Sequence, residues 1–335
     1  MTTINDLFTQ SDLIDYTGNR QYPEMLWDTL FPATKINSLK LDVLSRQSRV
    51  PVIASVSAFD AESEIGSREA EKTALELALI KRKMQIKEQD LYAMLNPRTP
   101  AELNYLKSKV YADFDALNQG ILARVEKMTM DVLATGKTKL ENEDGSLSIE
   151  LDYKVPTEHQ EALSKTWDAE DATILDDLVR WADKLDVAPT RALTSRKVYR
   201  HITTNPKIIQ AVYGNSTRAL GQADFDAFMQ AQGLPVIRTY DAKYRDVNGK
   251  QHRYFPENRI VLMNDDILGN KVYGPTPEEL AYFGGDVSTS SAGNVFDMIY
   301  TETKDPIGTW EKASAVALPA FAAVNEVFQG KVLPD

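Results

Sequence analysis

From Thr99 to Gly136 the apolar positions recur at helical spacing without a break. Leu103, Leu106, Val110, Phe114, Leu117, Ile121, Val125, Met128 and Val132 follow one another at intervals of three or four residues, which lays them on one face of an α-helix. Thr99-Pro100-Ala101-Glu102 reads as a capping box, with Thr at the N-cap, Pro at the first helical position and Glu three residues after the cap. Gly136 supplies the stop. At about 1.5 Å per residue the span from Pro100 to Thr135 reaches roughly 54 Å, long for a helix in a globular domain. One apolar stripe of that length needs a companion along it. A second helix of a bundle or coiled coil is one choice, and a sheet for which the helix is the spine is the other.

The rest of the chain has shorter periods. Residues 1 to 48 sustain none: Ser11 to Tyr16 predicts a short helix, Thr17-Gly18-Asn19-Arg20 a turn, and the whole an extended arm that packs on something else. Val50, Val52, Ile53 and Val56 predict a strand within Ser48–Ser57, and the acidic stretch Phe59 to Glu69 an exposed loop. Glu71 to Asp90 stays open between strand and helix. Leu75, Leu77 and Leu79 alternate, but Glu, Ala, Lys and Gln favour helix.

Beyond Gly136, Leu147, Ile149, Leu151 and Tyr153 alternate as a half-buried strand, and Asp144-Gly145 turns it back on Lys137–Glu141. Helices are predicted at Thr166–Asp186, Ser195–Thr203, Asn205–Tyr213 and Asp224–Gln232, with Pro206 at an N1 position. Strands are predicted at Pro189–Leu193, Leu234–Tyr240 and Arg259–Met263, and Asn248-Gly249 signals a two-residue hairpin turn returning through Arg253–Phe255. This alternation describes a compact α/β domain over about 161 to 284. Ser288–Gly293 is a small-residue loop and Val295–Thr303 a strand. Asp305-Pro306-Ile307-Gly308 is a turn, and the Ala- and Val-rich tail from Ala313 to Val332 breaks at Pro319.

Composition narrows the chemistry. The chain has no cysteine, which excludes disulfides, thiolate metal sites and cysteine nucleophiles. Its formal charge of −11 disfavours a general nucleic-acid binder, which must neutralise phosphates with Lys and Arg. The N-terminus carries no secretory signal pattern and no apolar run approaches about 18 residues, so a chain made in a reducing cytoplasm is expected, without a membrane span. With 43% hydrophobic residues a sizeable core is available.

Candidate motifs are sparse. Gly136-Lys137-Thr138 ends like a phosphate-binding loop, but Asp131 stands where the first glycine should be, and a helix precedes the motif where a strand is required. A C-cap glycine followed by a lysine facing the helix C-terminus accounts for it better. His159, His201 and His252 lie far apart without metal-ligand spacing. Asp176-Asp177, Asp265-Asp266 and Glu278-Glu279 are sequence neighbours, which do not face one another on a helix or strand, so solvated charge is expected at each. Tyr240, Tyr244 and Tyr254 are expected to dress a hairpin surface. No nucleophile elbow or dinucleotide-binding turn is present. No catalytic, cofactor-binding or metal residue is therefore nominated, and no cofactor is expected.

In order, the pieces are an arm, a strand–loop return, a long capped helix, a hairpin, a compact α/β domain, and a late strand with its tail. This order resembles the major capsid proteins of tailed bacteriophages with the Hong-Kong-97 fold, and more narrowly the lambda-type capsid protein E family. Four stretches carry the resemblance: Val132–Lys137 through Ile149–Asp152; Tyr244–Lys250 with Phe255–Leu262; Val272-Tyr273-Gly274; and Tyr300–Pro306 with Ser314–Pro319.

The resemblance implies an α+β fold with a spine helix on a β-sheet. Residues 1–48 would be an N-terminal arm and 49–90 an E-loop hairpin, which favours strand for Glu71–Asp90. Residues 91–160 and 285–312 would form the peripheral domain, and 161–284 with 313–335 the axial domain. It implies self-assembly as hexamers and pentamers into an icosahedral head shell around phage double-stranded DNA, touched non-specifically. A scaffolding protein, the portal and a decoration protein are the implied partners. The implied location is the virion, after synthesis in the host cytoplasm, and no catalysis is implied. Val50, Val52, Ile53, Phe31 and Trp27 are expected to find their cover on neighbouring copies. Two alternatives stand beside this: an α/β enzyme dimerising through the long helix, and a cellular nanocompartment shell of the same fold.

Overall fold

The computed structural model describes residues 3–23, 25, 28–44, 72–141, 148–214, 218–284, 293–304 and 307–334. The expectations for Trp27, Val50, Val52, Ile53, Val56, Phe59–Glu69 and Asp144-Gly145 lie outside these residues, as do those for most of Ser288–Gly293 and for Asp305-Pro306.

Two short helices come first, α1 (Ile4–Leu7) and α2 (Gln10–Asn19). Thr9 and Asp12 cap α2 reciprocally, side chain to backbone in both directions. The helix runs through Thr17-Gly18-Asn19, where a turn was predicted. Thr17 Oγ1 lies 2.9 Å from the Leu13 carbonyl and Asn19 donates to the Asp15 carbonyl, which hold the last turn closed.

There follow β1 (Ala33–Lys35), β2 (Lys40–Leu44), β3 (Lys72–Glu76), β4 (Ala78–Ile86), α3 (Glu88–Leu95) and α4 (Pro100–Thr135). Strand therefore wins over Lys72–Ile86 despite helix-favouring residue types, and helix resumes at Glu88. The spine keeps its predicted bounds. Its capping box is only half formed: Thr99 Oγ1 accepts from Glu102 N at 3.2 Å, but the Glu102 carboxylate takes the amide of Arg98 instead of that of Thr99.

After the spine come β5 (Lys137–Glu141), β6 (Ser148–Asp152), β7 (Gln160–Ala162), α5 (Ile174–Ala182), β8 (Arg191–Thr194), α6 (Arg196–Thr204), α7 (Pro206–Tyr213) and α8 (Gln222–Ala231). Next are β9 (Val236–Thr239), β10 (Lys243–Arg245), β11 (Gln251–Arg253), β12 (Arg259–Met263), β13 (Gly269–Gly274), α9 (Pro277–Tyr282), β14 (Phe296–Glu302), β15 (Gly308–Phe321) and β16 (Phe328–Lys331).

The chain forms two compact units. The first draws on Met1–Leu41, Leu75–Glu126 and Asn270–Ala320. Its sheet has the order β1-β13-β15-β14, with β4 also paired to β15 from Thr309↔Ile86 to Ala317↔Ala78. The spine's companion is this sheet: Asn118 of α4 bonds Asp297 of β14, and Arg82 of β4 crosses α4 at Gly120, so close that a Cβ there would overlap its guanidinium. Leu106, Val110, Phe114, Leu117, Ile121 and Val125 are all buried. Leu30 and Phe31 are fully buried as well. Phe31 therefore has its cover inside the subunit, contrary to the expectation that it waits for a neighbouring copy.

β15 does not break at Pro319. The proline lies past Ser314 and Ala317, the last residues paired to β14 and β4, so its missing N–H interrupts neither of those ladders.

The second unit draws on Asp42–Ala74, Lys127–Gly269 and Phe321–Asp335. Its sheet runs β7-β16-β12-β8-β9, parallel at β7/β16 and β8/β9 and antiparallel on either side of β12. Trp181 anchors the core between Trp167 and Phe328, stacked at 5.6 and 5.0 Å between ring centroids. Of the helix predicted at Thr166–Asp186 only α5 forms. The chain before it folds into tight turns that drive Trp167 into the core. The last turn of α4 belongs to this unit. Gln329 donates to the Val132 and Leu133 carbonyls, which the helix end leaves open, and Gly136 turns the chain at φ +70°.

The β10–β11 turn is larger than predicted. Gly249 N donates to Asp246 O, Asp246 N to Lys250 O, and Gly249 takes φ +80°. This is a three-residue loop, a β-turn closed by a left-handed glycine.

Candidate assembly surfaces

No nominated catalytic, cofactor or metal residue exists to be located, so the geometry of interest is where the charged and apolar side chains went. Among the described residues no group of three or more His, Asp or Glu side chains is arranged to hold a metal ion.

Two of the three carboxylate pairs depart from the expectation of solvated charge. Glu279 is buried on α9, where it caps the helix with Thr276 and receives Lys35 Nζ at 2.6 Å. Its neighbour Glu278 takes Lys312 and Lys81 at 2.5 and 2.9 Å, and these bonds hold its carboxyl down at about 2 against the opposing effect of burial. Asp177 is buried too, accepting from Trp167 Nε1 and Arg180. Adjacent acids on a helix point apart, so one can enter the core while the other does not; the signal in the sequence was the nearby tryptophan and arginine. Asp265 stays exposed beside Arg191.

The remaining candidates fall into structural roles. Thr135-Gly136-Lys137 is a helix end entering a strand, as expected. Lys137, however, faces Glu150 at 3.0 Å across the β5–β6 ribbon and not the helix C-terminus. His252 is half-buried and bonds Asp246 Oδ2 at 2.8 Å, which helps hold Asp246 below the usual carboxylate range. His159 is buried. Tyr240, Tyr254, Tyr244 and His252 form a ladder of ring contacts on and beside the β10–β11 hairpin.

Sequence reasoning missed a buried acidic cluster in the first unit. Asp297 and Glu311 are each 1% exposed on β14 and β15. Burial pushes Asp297 up to about 6, against hydrogen bonds from Thr17 and Asn118. Burial, reinforced by Asp113, pushes Glu311 up to about 8. The alternation in Val295–Thr303 carried the signal, because Asp297 shares a sheet face with Ile299.

Large apolar side chains remain on the surface of the lone chain: Tyr92 on α3, Tyr105 on the outer side of α4, Val247 at the hairpin tip, Ile307 before β15 and Ile149 on the β5–β6 ribbon. That ribbon joins no other sheet among the described residues. A two-stranded ribbon is marginal alone in water and gains most from a surface to lie on. Such scattered contacts suit association at several places at once.

A family model described as phage major capsid protein E matches residues 9–332. The P21 prophage-derived major head protein of Escherichia coli O6:H1 strain CFT073 and the major capsid protein of Enterobacteria phage P21 are relatives at 23% identity over 307 residues. Each alignment covers 85% of this chain and 88% of the relative. Among solved structures, one described as a capsid protein from an E. coli CFT073 prophage superposes with a TM-score of 0.63 at 16% identity, covering 97% of this chain and 99% of that one. A phage-related protein from Bordetella bronchiseptica RB50 gives 0.53 at 12% identity, covering 96% and 97%. Both share the fold described above.

Proposed function

Because this chain belongs to the phage major capsid protein E family and has a Hong-Kong-97-like capsid fold, we propose that copies of it assemble as hexamers and pentamers into the icosahedral head shell enclosing phage double-stranded DNA. The observation that carries this is the family match over nearly the whole chain, joined to a spine helix laid on a sheet in one unit and a separate mixed α/β core in the other. The protein's role is structural and its place is the virion. We assign residues 1–48 to an N-terminal arm and 49–90 to an E-loop. The peripheral domain is the unit holding the spine and its sheet, and the axial domain around capsomer centres is the other. Relative to the expected bounds of 91–160 with 285–312 and 161–284 with 313–335, β13 and most of β15 go with the spine and residues 127–160 go with the axial unit. A scaffolding protein, the portal and a decoration protein are its partners. Synthesis takes place in the host cytoplasm, and the chain is no enzyme.

The test is size. Purified chain co-produced with its scaffolding protein should elute at megadalton mass and appear as closed spheres by negative-stain microscopy. Recovery only as a monomer or dimer under those conditions refutes the reading and favours the enzyme alternative, whereas shells that never take up a genome favour the nanocompartment. Lys137→Ala should leave assembly intact, since its ion pair with Glu150 is exposed and screened by solvent.

A further inference from the structure

Asp297 sits where α2, α4 and the sheet of the first unit meet. Its Oδ2 lies 2.7 Å from Thr17 Oγ1 on α2 and 2.7 Å from Asn118 Nδ2 on α4, and its backbone carbonyl accepts from Gln10 Nε2 at 2.5 Å. Its Oδ1 finds no partner among the described residues. No cation faces it. Arg20 is engaged bidentately by Asp115 of α4, at 3.0 and 2.7 Å, and Tyr22 bridges Asp115 and Asn118. Asp12, Asp15 and Tyr16 on α2 line an open hollow with Arg20 and Tyr111. From β15 the facing group is Glu311, which itself looks toward Asp113 and Lys109 of α4; Lys109 is paired with Asp90. From β4, Arg82 lies across Gly120.

Thr17 has one hydroxyl proton and two acceptors within reach, the Leu13 carbonyl at 2.9 Å and Asp297 Oδ2 at 2.7 Å. When Asp297 is ionised the two compete for that proton. When Asp297 carries a proton on Oδ2, it donates to Thr17 Oγ1, Thr17 donates to Leu13, and both bonds are made.

We propose that Thr17 and Asp297 form a proton-operated latch that seats the N-terminal helix Gln10–Asn19 on the sheet when protonated and loosens it when the proton is lost. The aromatic contacts of Phe8 and Tyr16 with Tyr111, and the Arg20–Asp115 pair, keep the segment nearby in either state.

The sign follows from linkage. The carboxyl of Asp297, the group that α2 covers, rises from 3.8 to about 6 in the folded chain. The seated state therefore binds more protons than the released one across this window, and seating weakens as pH rises through it. The inference does not depend on whether the chain builds shells.

Hydrogen exchange of the full-length chain, read by mass spectrometry at about pH 5.5 and about pH 8.5 and corrected for intrinsic exchange, tests it. Protection over residues 10–20 should fall roughly fourfold between the two, while β12 in the second unit stays constant. Two substitutions should lock the latch in opposite senses. Asp297→Asn removes the charge that ionisation places against Thr17 while keeping an oxygen for Asn118, and should hold the acid-level protection at alkaline pH. Thr17→Val removes the link and should give the alkaline-level protection at acid pH. A helix whose protection tracks β12 in the wild-type chain overturns the proposal, and so does loss of protection in both variants alike, which would mark a merely structural contact. Should Asp297→Asn fail to fold, Thr17→Val and the wild-type profile still decide.

Discussion

Two glycines show how the same residue type does different work. Gly136 and Gly249 both hold left-handed φ, at +70° and +80°. A Cβ at Gly136 would also meet Val155 Cγ2 at 2.8 Å, whereas at Gly249 nothing lies within 4 Å. Gly249→Ala should therefore cost only the backbone term, about 1 kcal/mol. Gly136→Ala adds a clash against a buried side chain and should cost about 2–4 kcal/mol, because Val155 must shift off its own packing. Denaturant midpoints of the two variants, compared under identical conditions, check the ordering; equal costs would mean that the helix end adapts more freely than its contacts suggest. The acids carry a parallel lesson. Glu278 lies between two lysines and is held low, while Asp297 has only neutral donors and is pushed up, so partner chemistry decides the outcome at each.

At the scale of elements, the spine tests how far a hydrophobic period can be trusted. Phe114 is fully buried in the stripe and Tyr105 is 68% exposed on the same helix. Phe114→Ala should cost about 3–5 kcal/mol, and Tyr105→Ala under about 0.5 kcal/mol in the unassembled chain. Thermal melts of the two variants measure this, and a comparable loss at Tyr105 would mean that its face is covered within the lone chain. The spine was legible because 36 residues of period and a cap agree, and β12 because Ile260–Met263 is apolar throughout with a turn before it. Elements whose identity depends on distant partners were not legible. β4 is a strand because β15 offers nine residues of ladder, over 200 positions away in sequence, which local propensity cannot register. Pro319 was misjudged for the same reason: whether a proline ends a strand depends on where the neighbouring ladders stop. The turn at Thr17-Gly18 became helix because the side chains of Thr17 and Asn19, two of the predicted turn residues, bond back to the Leu13 and Asp15 carbonyls. The buried cluster at Asp297 was hidden because an acid in an alternating strand looks solvated until the covering helix is placed.

At the scale of the whole molecule, each unit is stitched from three separate stretches of chain. Long loops must therefore close before either core forms, which slows folding relative to a chain of local contacts. That interleaving makes it unprofitable to cut the chain into its units. The formal charge of the whole chain is −11. On the shell reading, a wall with this balance should face packed DNA without gripping it, because binding strength on duplex DNA rises with each phosphate neutralised by Lys or Arg. Assembled shells titrated into labelled duplex DNA should therefore bind weakly, with log affinity falling by less than about 2 per unit of log salt between roughly 50 and 200 mM. A slope near −6 or steeper would mean that a cluster of basic side chains contacts the phosphates. Lys81, Lys83 and Arg82 on β4 would then be the first residues to replace, since they place three cations on one nine-residue strand. Lys81 is committed to Glu278 and Lys83 lies over the Trp310 ring, 3.9 Å from Glu302. Such pairing leaves little of that charge free for phosphate, which is why the shallow slope is the expected result.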